Sequence, residues 1–178
     1  TAIMGGAKVS DKIMIIERLL GVADNIIIGG GMSYTFAKAK GGKIGKSLLE
    51  ADKMDLTKEI EQKAKEKGVK LILPVDTVIA DDFSNDAKTQ TVKSGEIPDD
   101  WQGLDIGPET VKLFSDILKS SKTILWNGPM GVFEIKECAK GTFAVAESVA
   151  EADCISIIGE GDSVKAIKKS GYGDKVSF

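Results

Sequence analysis

Short apolar runs alternate along this chain with segments whose apolar residues recur every three or four positions, and these two periods separate strands from helices. The runs Ala2 to Met4, Asn25 to Ile28, Lys70 to Pro74, Thr77 to Ala80, Thr123 to Trp126 and Cys154 to Ile158 are predicted strands. Between them Ile13, Ile16 and Leu20 recur at helical spacing, as do Leu56, Ile60 and Ala64, and then Val111, Phe114 and Leu118. Each stripe is expected to face a sheet. Strands alternating with helices predict an α/β domain with a largely parallel sheet. Glu59 with Lys63 and Glu61 with Lys65, each four apart, read as solvated helix pairs. The polar stretch Asp81 to Asp100, with the turn signal Ile97-Pro98-Asp99-Asp100, breaks the alternation and is expected to hold short strands or loop. No internal repeat, low-complexity segment or second domain boundary is evident.

Glycine-rich turns follow three of the predicted strands. The segment WNGPMGVFE, Trp126 to Glu134, leaves its strand through Gly128, Pro129 and Gly131, which restrict the backbone to tight geometry. Asn127 places an amide at the strand's carboxyl end, where ligands sit in an open parallel sheet, and Glu134 returns a carboxylate across the loop. GGAKVSDK (Gly5 to Lys12) and GEGDS (Gly159 to Ser163) repeat the order strand, glycine turn, helix. Close backbone approach, helix amino termini and a few cations are what a polyphosphate requires.

Within the first turn, Lys8 and Lys12 are four apart and are expected to share a helix face. A cation there opposes the helix dipole by roughly 0.3 to 1 kcal/mol, so two lysines make sense around an anion; otherwise they are surface residues. Asp162 opens the last predicted helix, where capping alone explains an aspartate. It also suits Mg²⁺ bridging phosphates, with the Ser163 hydroxyl facing phosphate oxygens.

Composition narrows the chemistry further. The chain has 178 residues, 42% of them hydrophobic, enough to bury a core without staples. A net charge of -3 argues against a general nucleic-acid or anionic-membrane binder. There is no histidine, and Arg18 is the only arginine among 24 basic residues, so imidazole catalysis and guanidinium clamping are essentially excluded. Cys138, on a predicted helix, and Cys154, on a predicted strand, lack CxxC spacing and read as reduced packing residues of a cytoplasmic protein. No signal-peptide pattern or transmembrane-length run occurs, and the chain opens at Thr1 directly into a strand, like a piece of something longer.

Dinucleotide and P-loop fingerprints fail on inspection. GGGMSYTF (Gly29 to Phe36) has Tyr34 where GxGxxG needs its third glycine, and GEGDSV has Val164 there. KGGKIGKS (Lys40 to Ser47) would need glycine at Lys40 and a preceding strand, and it reads as a surface loop.

In order, GGAKVSDK, GGGMSYTF, GKSLLE, LPVD, WQGLDIGPET, WNGPMGVFE, KGTFAVAE and GDS resemble the carboxyl-terminal, nucleotide-binding half of phosphoglycerate kinases, and the resemblance covers essentially the whole chain. It implies a Rossmann-like three-layer α/β/α fold with a mostly parallel sheet, a single nucleotide-binding domain over residues 1–178, and an absent amino-terminal substrate domain. It further implies reversible phosphoryl transfer between ATP and 3-phosphoglycerate, giving 1,3-bisphosphoglycerate and ADP in glycolysis, with Mg²⁺, in a monomeric enzyme. On that resemblance Lys8 reaches the transferring phosphate and Lys12 the α and β phosphates. Asn127 acts near the β and γ phosphates, Asp162 holds Mg²⁺, and Gly161 with Ser163 cradles the β phosphate. Glu134 accepts from the ribose hydroxyls. The adenine lies in a slot formed by Gly31, Tyr34, Gly103, Leu104, Pro129 and Met130, where glycines admit a flat ring.

This chain departs from the family pattern at Glu160, which takes the middle place of three glycines in the phosphate turn. A carboxylate about 6 Å from a phosphate charge costs roughly 3 kcal/mol at an effective dielectric near 20, so its side chain is expected to turn outward. Two other readings compete: a non-catalytic nucleotide-binding or interaction module of the same fold, and a dinucleotide-dependent oxidoreductase. Without the substrate half, the isolated chain is expected not to turn over.

Overall fold

The computed structural model describes residues 1–84, 86–132, 135, 138–152, 155–159 and 165. Its main sheet has five parallel strands: β1 (Ala2–Met4), β2 (Asn25–Ile28), β4 (Lys70–Ile72), β9 (Thr123–Asn127) and β10 (Ile155–Gly159), in the order β10-β9-β1-β2-β4. These strands are the expected ones, within one or two residues at each end. In register, Ile3 lies between Ile27 of β2 and Trp126 of β9.

Alternation along the strands divides the core into two layers, since successive side chains leave a strand on opposite faces. Ala2, Met4, Ile26 and Ile28 pack with Ile16 and Leu20 of helix α1 (Val9–Leu19) and its C-cap, with Met32 and Phe36 of α2 (Met32–Ala39), and with Ile60 and Ala64 of α3 (Met54–Glu66). Ile3, Ile27, Ile124 and Trp126 pack on the other face with Phe114 and Leu118 of α4 (Pro108–Lys119) and with Val145, Ala146 and Val149 of α5 (Lys140–Glu151). The three predicted apolar stripes therefore face the sheet, in an α/β/α sandwich.

The segment between β4 and α4, joined by a short strand that follows α2, builds a smaller unit. β5 (Asp76–Ala80) pairs antiparallel with both β6 (Thr89–Lys93) and β8 (Gln102–Ile106), while β3 (Lys43–Ile44) pairs parallel with β7 (Glu96–Ile97). The irregular stretch Asp81 to Asp100 thus contains the strands β6 and β7. KGGKIGKS is more than a surface loop: it contributes β3, and buried Ser47 accepts the Gly103 amide at 2.8 Å. The expected helix-surface pairs also differ. Lys63 reaches Glu17 of α1 at 3.3 Å and Glu61 reaches Lys40 at 3.3 Å, because neighbouring elements lie within range of these side chains. Cys138 lies in a 3-10 turn just before α5 and is fully buried beside Leu104 and Ile135; Cys154 lies outside the described residues. No helix among the described residues is long and apolar enough to cross a membrane.

Candidate functional site

Strand order changes direction at β1: β2 and β4 extend one way, β9 and β10 the other. Beyond the carboxyl ends of adjacent β1 and β9 lies the crevice where open α/β sheets hold ligands. Three glycine turns meet there. Gly5 N donates to Asn127 O at 2.8 Å, Gly6 N to Pro129 O at 3.1 Å, Gly30 N to Met130 O at 3.0 Å, and Met32 N to Gly6 O at 3.1 Å. These contacts explain the glycines. A Cβ on Gly5 would sit 2.2 Å from Pro129 O, and one on Gly128, at φ +100°, would sit 2.3 Å from Gly5 O. The loops touch backbone to backbone, which no larger residue permits. Buried Trp126 adds its indole N–H to Gly128 O at 2.7 Å.

Two of the expected phosphate residues come together over this seam. The Lys12 side chain is buried, passes over Gly6 and donates from Nζ to Asn127 Oδ1. Asn127 in turn stands beside Gly159 at the end of β10, so three strand ends converge on this amide. Lys8 differs from expectation. It is the residue before α1, with extended backbone at φ -128° and ψ 133°, and it is exposed. The four-residue spacing to Lys12 therefore places no shared helix face, because the helical repeat begins only at Val9. Glu134, Glu160, Gly161, Asp162 and Ser163 lie outside the described residues.

Beside this seam opens a cleft of about 490 Å³ lined by all six residues of the expected adenine slot, Gly31, Tyr34, Gly103, Leu104, Pro129 and Met130. Its glycines are also required by the protein's own packing. A Cβ on Gly103 would lie 2.5 Å from the Tyr34 ring, and one on Gly31 2.9 Å from Leu48. They make room for the protein's own side chains, which form the walls. Sequence reading missed Leu48 and Phe83, both 58% exposed, together with Gln102 and Asp11. Phe83 carried a signal: it is a large apolar residue in the polar run DDFSND. A second cleft, about 590 Å³, lies between the end of α2 and the β6–β7 turn; Tyr34 alone of the expected residues lines it.

The far wall of the first cleft rests on the amino-terminal turn of α5. Thr142 Oγ1 accepts the Met130 and Gly131 amides at 3.1 and 3.2 Å. Asp105, at the end of β8 and 1% exposed, accepts Gly141 N at 2.8 Å and Ile106 N at 2.8 Å. Burial pushes its carboxyl up to about 8, against the opposing pull of the Gly141 and Ile106 amides. Burial also raises Tyr34 far above a free phenol, reinforced by Asp105 and Cys138, so its hydroxyl stays neutral.

A family profile described as Phosphoglycerate kinase matches residues 1–178. Phosphoglycerate kinases from Clostridium kluyveri and Trichodesmium erythraeum are each 56% identical over 177 residues, covering 99% of this chain and 44% of theirs. The phosphoglycerate kinase structure from Coxiella burnetii superposes with a TM-score of 0.97 at 42% identity, covering 99% of this chain and 45% of that one. The Pyrococcus horikoshii enzyme gives a TM-score of 0.77 at 30% identity over 94% of this chain and 43% of that one. The chain thus spans less than half the length of the relatives it matches. Its parallel sheet, its glycine turns and its sequence over all 178 residues make it a member of the phosphoglycerate kinase family.

Proposed function

We propose that residues 1–178 are a nucleotide-binding domain that holds Mg-ATP or Mg-ADP for reversible phosphoryl transfer with 3-phosphoglycerate and 1,3-bisphosphoglycerate, in the glycolytic sense of the family. The observation that carries the reading is the cleft at the β1–β9 switch point, which gathers the six adenine-slot residues next to the Lys12–Asn127 pair. An apolar slot adjoining a buried cation suits a flat base joined to a polyphosphate. Lys8, exposed at the start of α1, is assigned to the transferring phosphoryl group, and Lys12 with Asn127 to the inner phosphates. Their work is positioning and charge neutralisation, with little covalent chemistry asked of the protein.

Mg²⁺ is assigned to Asp162, with Gly161 and Ser163 at the β phosphate and Glu134 at the ribose. One carboxylate together with the nucleotide's phosphates is a usual Mg²⁺ environment. Bound there, the ion would screen phosphate charge. The cytoplasmic, monomeric state of the enzyme belongs to the same proposal.

Trp126 supplies the test, because its indole bonds the loop that lines the cleft. Titration with Mg-ADP is expected to give a saturable fluorescence change that weakens at least tenfold in Asp162→Ala and that NAD does not reproduce. Saturation by NAD but not by Mg-ADP would overturn the reading in favour of a dinucleotide site.

A further inference from the structure

The cleft wall formed by Pro129 to Gly131 has no regular secondary structure of its own, yet its amides are tied down in a definite order. Met130 and Gly131 amides bond Thr142 Oγ1, Thr142 sits in the first turn of α5, and the amide of Gly141 in that turn is held by the Asp105 carboxyl oxygen Oδ2 at 2.8 Å. Asp105 itself is fixed at the end of β8, whose neighbouring Gly103 and Leu104 also line the cleft. Leu104 O also accepts the Val132 amide at 2.8 Å.

Sequence and packing make room for this chain of bonds. A Cβ on Gly131 would stand 2.5 Å from Asp105 Oδ1, and a Cβ on Gly141 2.3 Å from the same atom. Both glycines permit the carboxyl group to lie directly under the loop and against the helix end. A helix amino terminus favours an acidic acceptor through its unpaired amides. Here the acceptor comes from a different strand, so one side chain joins the two walls of the cleft.

We infer that Asp105 is a positioning residue for nucleotide binding: acting through α5 and Thr142, it sets the separation between the Gly103–Leu104 wall and the Met130–Gly131 wall that would enclose the base. Asp105 does not touch the base. The inference rests on the nucleotide reading given above, but its structural half can be measured without any ligand.

Asp105→Asn, Thr142→Val and the double variant, prepared in the 178-residue chain, test it by two measurements. In the absence of ligand, amide exchange of Met130 and Gly131 is expected to quicken about tenfold in Asp105→Asn, as in Thr142→Val, while the β1 ladder keeps its protection, since one buried hydrogen bond is worth about 1 kcal/mol or more. In titrations, Mg-ADP affinity is expected to fall about tenfold in each single variant, and affinity for inorganic tripolyphosphate to change less than twofold. The double variant is expected to resemble the singles, because both residues act in one chain of bonds. Wild-type exchange at both amides in Asp105→Asn overturns the inference, as does an equal loss for Mg-ADP and tripolyphosphate. Altered exchange with no Mg-ADP binding even by the wild-type chain overturns the nucleotide reading instead, and with it the base-enclosing role. Asp105→Ser, smaller but still able to accept a hydrogen bond, replaces Asp105→Asn if that variant does not fold.

Discussion

At the scale of single residues, Asp105 shows how burial and hydrogen bonding oppose each other. An unfolded aspartate titrates near 3.9, whereas in the fold it is pushed up to about 8. The folded chain therefore keeps a proton that the unfolded chain releases. The resulting stability is fully present below about pH 4 and is lost as pH rises toward about 8. Asp105→Asn is expected to flatten the fall in stability across that window relative to the parent, read by urea unfolding at pH 5 and pH 8. An unchanged difference between the two pH values would mean the carboxyl is already ionised. Neither the burial of Asp105 nor its hold on Gly141 was legible in the sequence, where the motif GLDIGP shows an aspartate but not what surrounds it. The Lys8 and Lys12 spacing was legible and its geometry was not, since the helix begins between them at Val9.

Among elements, helix α4 illustrates how a cap can come from afar. Gly107 and Pro108 begin the helix, but the acceptor for the Glu109 and Thr110 amides is the Asp76 carboxylate of β5, at 3.0 and 2.9 Å. Thr110 Oγ1 completes the joint: it reaches Asp76 Oδ1 at 2.5 Å and receives the Val75 and Asp76 amides at 3.1 and 3.0 Å. Thr110→Val keeps the shape and strands these buried groups, so a loss of roughly 2 to 3 kcal/mol is expected. Equilibrium denaturation measures it, and a change under 0.5 kcal/mol would show that water replaces the hydroxyl. The stripes of α1, α3 and α4 were readable because apolar spacing is a local property. β8 was missed because the alternation in Gln102-Gly103-Leu104-Asp105-Ile106 rests on two apolar residues only, Leu104 and Ile106, and the strand is paired and covered only in the tertiary fold.

For the whole molecule, the parallel sheet collects turns distant in sequence at one edge, and function depends on what that edge faces. Lysines dominate its cationic residues, and the chain holds a single arginine and no histidine. An acceptor such as 3-phosphoglycerate needs further cations opposite the nucleotide, so the 178-residue chain alone is expected to bind Mg-ADP without turning over. A coupled assay with 1,3-bisphosphoglycerate and Mg-ADP checks this, and ATP formation at the rate of a full-length relative would refute it.

By itself the sequence determined the five strands of the main sheet, the faces that α1, α3 and α4 bury and the family resemblance, because hydrophobic period and long glycine motifs are written in neighbouring residues. Only the tertiary structure decided why those glycines are there: Gly5 and Gly128 let two loops touch, and Gly103 receives Tyr34. It likewise decided that Asp105, Thr142 and Met130 form one line of bonds. Contacts between residues far apart in the chain depend on strand register and helix docking, and those are set by the packing of the whole sheet rather than by any local pattern.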